Sequence, residues 1–173
     1  MYIFFTYFRI KINTLKLFLL QTSKLKFVLV FTVFTFLASF ITVSIYLILT
    51  YVFNLNIATS ENVFKNDSFL IQLVFVCILA PVLETYVFQY FFYELFFIKR
   101  NYWLALIFSS ALFGLSHFYD PMYAVNTFFS GLVLGLSYIM AKKRKTYPIL
   151  LTIMIHALHN FIIVMVETIA KAV

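Results

Sequence analysis

The sequence predicts an all-α polytopic membrane protein, with about five transmembrane helices and an N-terminal amphipathic helix at the membrane interface. Of its 173 residues, 64% are hydrophobic and 11% are charged, and the mean hydropathy is +1.01. Soluble domains are nearer half apolar and a quarter charged. The apolar residues also fall in segments close to the roughly 20 residues that a helix needs to cross a bilayer. Composition and segment length together predict the fold class.

The first 26 residues differ from the rest. Apolar residues recur there at helical spacing, with Arg9 and Lys16 on another face, and the stripe consists of Phe8, Ile12, Leu15 and Leu19. This pattern predicts a helix that lies along the membrane surface. A signal peptide is not expected, because no charged region precedes a short apolar core. The predicted organisation is an interfacial segment, a first span with its external loop, and a core: 1–26, 27–68 and 69–173.

Five segments are predicted to span the membrane, and the third of them is short. They run from Phe27 to Phe53, Phe69 to Ile98, Trp103 to Phe118, Met122 to Ala141, and Pro148 to Thr168. Pro81 lies inside the second span and cannot donate to the carbonyl of Cys77, so a kink is predicted one turn before Glu84. Gly131 and Gly135 in the fourth span form GLVLG, a spacing that favours close helix approach.

The distribution of basic residues predicts the orientation. Eleven of the 13 lysines and arginines lie on one side of the five-span arrangement: five precede the first span, two follow the second and four follow the fourth. The positive-inside rule therefore places the N-terminus and the KKRK run at 142–145 in the cytoplasm, and the C-terminus outside. The basic residues that give the net charge of +7 lie between apolar segments, where they act as topology signals. A nucleic-acid partner is therefore not expected. The lone cysteine, Cys77, excludes an internal disulfide and a cysteine-rich metal site.

Polar residues within predicted spans mark the candidate site: Glu84, His117, His156, His159 and Asn160. At about 1.5 Å of rise per residue, Glu84, His117 and Asn160 lie roughly 20–24 Å from the cytoplasmic ends of their helices, and His156 roughly 14 Å. This common depth predicts one shared site, since ionisable residues inside a membrane are functional candidates. His156 and Asn160 are four residues apart and project from one face. His159 points about a third of a turn away, which predicts a supporting role.

Two chemistries suit these side chains. A shielded Glu84 can act as general base on a water, with one histidine orienting that water and the other histidine and the amide stabilising an oxyanion. In the alternative, which stays open, Glu84, His117 and His156 are ligands of one divalent metal such as zinc. The soluble metalloprotease signature H-E-x-x-H is absent.

The segments APVLETYVFQ, FGLSH and HALHN resemble the three motifs of the CPBP intramembrane proteases, E-E-x-x-x-R, F-x-x-x-H and H-x-x-x-[ND]. That family includes CAAX prenyl endopeptidases and proteins linked to bacteriocin self-immunity. The resemblance covers roughly Leu70 to Val166. It implies that Glu84 activates water, that His117, following Phe113, is a water or metal partner, and that His156 and Asn160 stabilise the oxyanion. It also implies membrane lipid and a peptide or lipidated peptide as partners.

The first motif departs from the family pattern at two positions. Thr85 stands where the family has a second glutamate, and Gln89 where it has arginine. These positions are four residues apart, so we interpret the change as a coupled loss of a supporting ion pair. Two functions remain: an intramembrane endopeptidase, or a catalytically silent member that binds a partner as an immunity protein. An ion pathway is disfavoured because only one carboxylate lies in the polar band.

Overall fold

The protein is described by a computed structural model that covers residues 18–55, 67–97 and 102–172. Within these ranges it consists of helices and turns, without strands. Helix α1 is Lys24–Leu47 and continues as a π-helical turn, Ile48–Val52. Helix α2 is continuous over four segments: Phe69–Val74, Phe75–Leu79, Ala80–Glu84 and Thr85–Phe97. Helices α3, α4 and α5 are Tyr102–Leu115, Pro121–Lys143 and Pro148–Ala172.

The predicted all-α membrane fold is confirmed. Among the described residues, four helices are long and apolar enough to cross a membrane, and they lie in α1, α2, α4 and α5. Helix α3 has 14 residues and is shorter than a full span. It ends at Leu115 rather than at the predicted Phe118, because the chain turns between Ser116 and Tyr119. Most of the predicted interfacial helix, residues 1–17, lies outside the described residues.

The polar residues that precede three helices account for where those helices begin. The Ser23 hydroxyl accepts from the Lys26 amide at 3.3 Å at the start of α1. The Ser68 hydroxyl accepts from the Ile71 amide at 3.4 Å at the start of α2. The Asp120 carboxylate accepts from the first amides of α4 at 2.8 and 2.9 Å. Each cap satisfies an amide that the helix itself leaves without a partner.

Helix α2 departs from α-helical geometry on both sides of Pro81, since Thr85–Phe97 is also π-helical. The segment Phe75–Leu79 is π-helical, and the Ala80 amide donates to the Phe75 carbonyl five residues earlier. The proline predicted a disturbance here, and the structure places a π-helical turn directly before it. Such turns arise where the regular hydrogen-bond ladder is interrupted.

Helices α3 and α4 pack closely through glycines. A Cβ at Gly114 would lie 2.7 Å from the Ala124 carbonyl oxygen, and one at Gly131 would lie 3.2 Å from the Ser110 Cα. Since neither position has room for a side chain, these glycines set the distance between the two helices. Helix α1 packs against both α4 and α5 on the other side of the bundle.

Polar contacts fix the end of the bundle predicted to be cytoplasmic. Glu94 on α2 accepts from the Tyr138 hydroxyl at 2.6 Å and forms an ion pair with Lys142. The Arg144 guanidinium donates to the carbonyls of Leu19 and Thr22, ahead of α1. Two residues of the KKRK run therefore make structural contacts as well as carrying the topology signal.

Candidate functional site

Helix α2 presents Glu84 to a cavity of about 180 Å³ inside the bundle. Val76, Ala80 and Glu84 are spaced four residues apart, and all three line this cavity. A carboxylate at this depth is expensive unless polar groups or water surround it. The volume is sufficient for several water molecules.

His117 faces Glu84 from the turn that follows α3. Its Nε2 atom lies 3.9 Å from Glu84 Oε1. Its Nδ1 atom lies 2.9 Å from the Phe113 carbonyl oxygen and 3.1 Å from the Ser116 hydroxyl. The carbonyl can only accept, so this contact assigns the proton to Nδ1 in the neutral ring. The lone pair of Nε2 is then directed to the side of the ring that faces Glu84.

His156 faces the same carboxylate from α5. Its Nε2 atom lies 3.5 Å from Glu84 Oε2, and the side chain is buried. Its Nδ1 atom has no hydrogen-bond partner among the described residues. The Phe113 ring stands edge-on to both imidazoles, with centroids 5.2 Å from His117 and 5.9 Å from His156. Phe113 therefore packs against both histidines that approach Glu84.

Asn160 lies one turn beyond His156 and lines the same cavity. Its Nδ2 atom donates to the Val76 carbonyl at 2.9 Å, which joins α5 to α2. An amide nitrogen carries two protons, so one remains after this bond is made.

His159 is bound to helix α1 rather than to Glu84. Its Nδ1 atom lies 3.0 Å from the Thr35 hydroxyl, which itself donates to the Thr32 carbonyl at 2.7 Å. The hydroxyl proton is used, so His159 is the donor to Thr35. The imidazole also packs on Phe36, with centroids 4.5 Å apart.

Thr85 and Gln89 lie on α2 outside the cavity lining. Both are buried, at 0% and 1% exposure. Both side chains are able to form hydrogen bonds, but neither has a partner among the described residues. The polar character that remains at these two positions is therefore uncompensated within the described bundle.

The cavity includes residues that the sequence analysis did not select. Thr35 comes from α1, and Tyr123, Asn126, Thr127 and Ser130 come from α4. On α4, the other three residues lie three, four and seven positions after Tyr123, which places all four on one helix face. That spacing was a usable signal. No local pattern marks Thr35, because its role depends on packing between helices distant in the sequence.

The three side chains that meet in the cavity, Glu84, His117 and His156, include the atom types that bind metals. Carboxylate and imidazole are legitimate zinc ligands, and Glu84 faces both histidine Nε2 atoms. Within the described ranges, however, no group of three or more His, Cys, Asp or Glu side chains has the arrangement of a metal site. A metal held by Glu84, His117 and His156 therefore stays a prediction of the sequence.

Part of the chain matches a known protein family. Residues 66–162 match the family model described as type II CAAX prenyl endopeptidase, Rce1-like. The match includes Glu84, His117, His156 and Asn160 but not helix α1. Comparisons with curated proteins and with solved structures gave no significant match.

Proposed function

Because the chain belongs to the Rce1-like family of type II CAAX prenyl endopeptidases, we propose that it hydrolyses a peptide bond in a prenylated peptide at the membrane. The observation that carries this proposal is the position of the Glu84 carboxylate. It faces His117 Nε2 at 3.9 Å and His156 Nε2 at 3.5 Å, and all three side chains line one cavity. The polar lining and the volume of the cavity support a site that holds water and a peptide group together.

In the proposed reaction Glu84 is the general base. It takes a proton from a water molecule, and the water oxygen attacks the carbonyl carbon of the scissile bond. His117, whose Nδ1 proton is held by the Phe113 carbonyl, presents Nε2 as an acceptor that orients the water. Because a carboxylate and an imidazole then share one water, the nucleophile is generated at a fixed position.

The oxygen of the attacked carbonyl acquires negative charge as the new bond forms. His156 donates a hydrogen bond from Nε2–H to this oxygen. The remaining amide proton of Asn160 makes the second hydrogen bond. As the intermediate collapses, the C–N bond breaks and the leaving amine takes the proton from Glu84. Donors aimed at the developing oxyanion are usually the largest single contribution to this kind of catalysis.

The second candidate function is a catalytically silent protein that binds a partner. The observation that favours it is the first motif, where buried Thr85 and Gln89 replace the charged pair of the family and have no hydrogen-bond partner among the described residues. Protease activity is favoured over this alternative because the four residues around the cavity are retained together.

Replacement of Glu84 by glutamine tests the proposal. The purified protein in lipid vesicles is assayed with a prenylated peptide that ends in a CAAX sequence. Glu84→Gln is expected to reduce turnover by roughly 10²- to 10⁴-fold, since it removes the base and preserves the shape. Glu94→Gln is the matched control, a carboxylate on the same helix outside the cavity, and it should retain turnover.

If wild type and Glu84→Gln give the same turnover, the function is partner binding rather than hydrolysis. Metal analysis and a chelator challenge of the active wild type decide the separate question of a zinc ion. Our proposed steps use none. If zinc is found, Glu84, His117 and His156 are the residues that would hold it.

A further inference from the structure

The Val76 carbonyl lacks a backbone donor because two features of α2 meet at this residue. In the π-helical turn, the Ala80 amide donates to the Phe75 carbonyl. The next amide in that register belongs to Pro81, which has no N–H. The helix therefore offers no donor to the Val76 carbonyl. A backbone carbonyl at membrane depth must be satisfied from elsewhere, because lipid offers it no hydrogen-bond donor.

Asn160 supplies the missing donor from another helix. Its Nδ2 atom donates to the Val76 oxygen at 2.9 Å. Val76 and Glu84 lie on the same face of α2, eight residues apart, and both line the cavity. On α5, Asn160 shares a face with His156, whose Nε2 atom is 3.5 Å from Glu84. One hydrogen bond thus joins the two helix faces that carry Glu84 and His156.

We propose that Asn160 is a positioning residue whose amide replaces the N–H that Pro81 lacks, and that this bond holds Glu84 opposite His156. Without the bond from Asn160, the Val76 carbonyl would accept from water or from another donor. Helix α2 would then rotate or shift against α5. The link between the helices stands on geometry alone. Its importance for turnover rests on the proposed function, in which Glu84 is the base.

The hydrogen bond can be observed without an activity assay. The chain has one cysteine, and it follows Val76. Labelling valine with carbonyl ¹³C and cysteine with ¹⁵N therefore isolates a single peptide bond in a magnetic resonance spectrum. Asn160→Ala is expected to shift the Val76 carbonyl signal upfield, as loss of a hydrogen bond does. Asn126→Ala, which removes another amide from the same cavity, should leave it in place. An unmoved signal in Asn160→Ala overturns the proposal.

A double-mutant cycle with Pro81 tests the effect on catalysis. Pro81→Ala restores an N–H in the register of the Val76 carbonyl, so the amide of Asn160 becomes less important. Asn160→Ala should lower kcat by about 10²- to 10³-fold in the wild-type background, and by at least tenfold less in the Pro81→Ala background. An equal loss in both backgrounds overturns positioning and assigns the amide to the oxyanion alone.

The two measurements separate the failure of this proposal from that of the proposed function. If no turnover is found with the wild type, the proposed function fails, and the carbonyl signal still decides the link between α2 and α5. If Pro81→Ala does not fold, the carbonyl signal again decides. An upfield shift of the Val76 carbonyl signal in Asn160→Ala, and not in Asn126→Ala, supports the proposal.

Discussion

A single hydrogen bond between His159 and Thr35 ties the first helix to the wall of the candidate site. The imidazole donates to the Thr35 hydroxyl over 3.0 Å, and both side chains are buried. The partners are 124 residues apart in the chain. His159 is thus bonded to α1, and its side chain lines the same cavity as Glu84 and Asn160. The two histidines of α5 therefore have different neighbours, Glu84 for His156 and Thr35 for His159.

Thr35→Val is expected to lower the free energy of unfolding by about 1–3 kcal/mol, because it leaves a buried imidazole donor unpaired. Turnover should fall by less than tenfold. His159→Ala should likewise be far milder for turnover than His156→Ala. Chemical or thermal unfolding in mild detergent measures the first effect, and the peptide assay the second.

The matched control is Thr42→Val on the same helix. The Thr42 hydroxyl donates only to the Ala38 carbonyl of its own helix, at 3.0 Å. Its loss should cost less stability than the loss of Thr35. If the two valine variants unfold alike, the hydrogen bond to His159 contributes nothing measurable.

At the scale of elements, α2 carries both the Glu84 carboxylate and a buried polar face without partners among the described residues. Thr85, Gln89 and Tyr93 are each 0–1% exposed, and their side-chain polar atoms have no hydrogen-bond partner among the described residues. Most buried polar groups in native proteins are paired. This face is therefore the least satisfied part of the described bundle, and it coincides with the departure from the family motif.

Restoring the family pattern on this face tests whether the two substitutions are coupled. The double variant Thr85→Glu with Gln89→Arg should be tolerated, because the two charges lie one turn apart and can pair. Gln89→Arg alone should reduce expression or stability, since it leaves one charge unpaired in the bundle. Expression level and unfolding temperature in detergent are the measurements. Equal behaviour of the single and double variants would mean that position 89 reaches water or headgroups.

The contact between α3 and α4 provides a second prediction at this scale. Gly114→Ala should destabilise the protein by about 1–3 kcal/mol, because the new methyl group meets the rigid carbonyl of Ala124. Gly131→Ala should cost less. Its methyl group would lie 3.0 Å from the Phe113 ring and 3.2 Å from the Ser110 Cα, both farther than the 2.7 Å contact at Gly114. The ratio of the two unfolding free energies checks the ranking, and the opposite order would contradict this packing.

The sequence was informative about elements and less so about their partners. Apolar segments of bilayer length located the membrane-crossing helices, since only helices satisfy the backbone inside lipid. A common depth grouped Glu84, His117, His156 and Asn160, and all four line one cavity. The bonds from Thr35 to His159 and from Asn160 to Val76 were not predictable. These bonds depend on which helices are neighbours and on how each helix is rotated about its axis. The hydropathy of the sequence gives no information on either.

For the whole molecule, the remaining prediction concerns orientation. Reporter fusions at the N-terminus and at residues 142–145 should be cytoplasmic, and a fusion at the C-terminus should be external. The contacts of Lys142 with Glu94 and of Arg144 with the carbonyls of Leu19 and Thr22 require these segments to share one side. Termini found on the same side of the membrane would contradict the five-span arrangement.

The short α3 also bears on the lipid around the protein. Its 14 residues cover roughly 21 Å, against a hydrocarbon core of about 30 Å. Lys143 at the end of α4 lies over the Tyr102 ring at the start of α3, so the two helices are level at that end. The hydrophobic mismatch therefore falls at the opposite end, beside His117. A thinned leaflet there would shorten the path of water to the carboxylate, and bilayer thickness would then regulate the proposed hydrolysis.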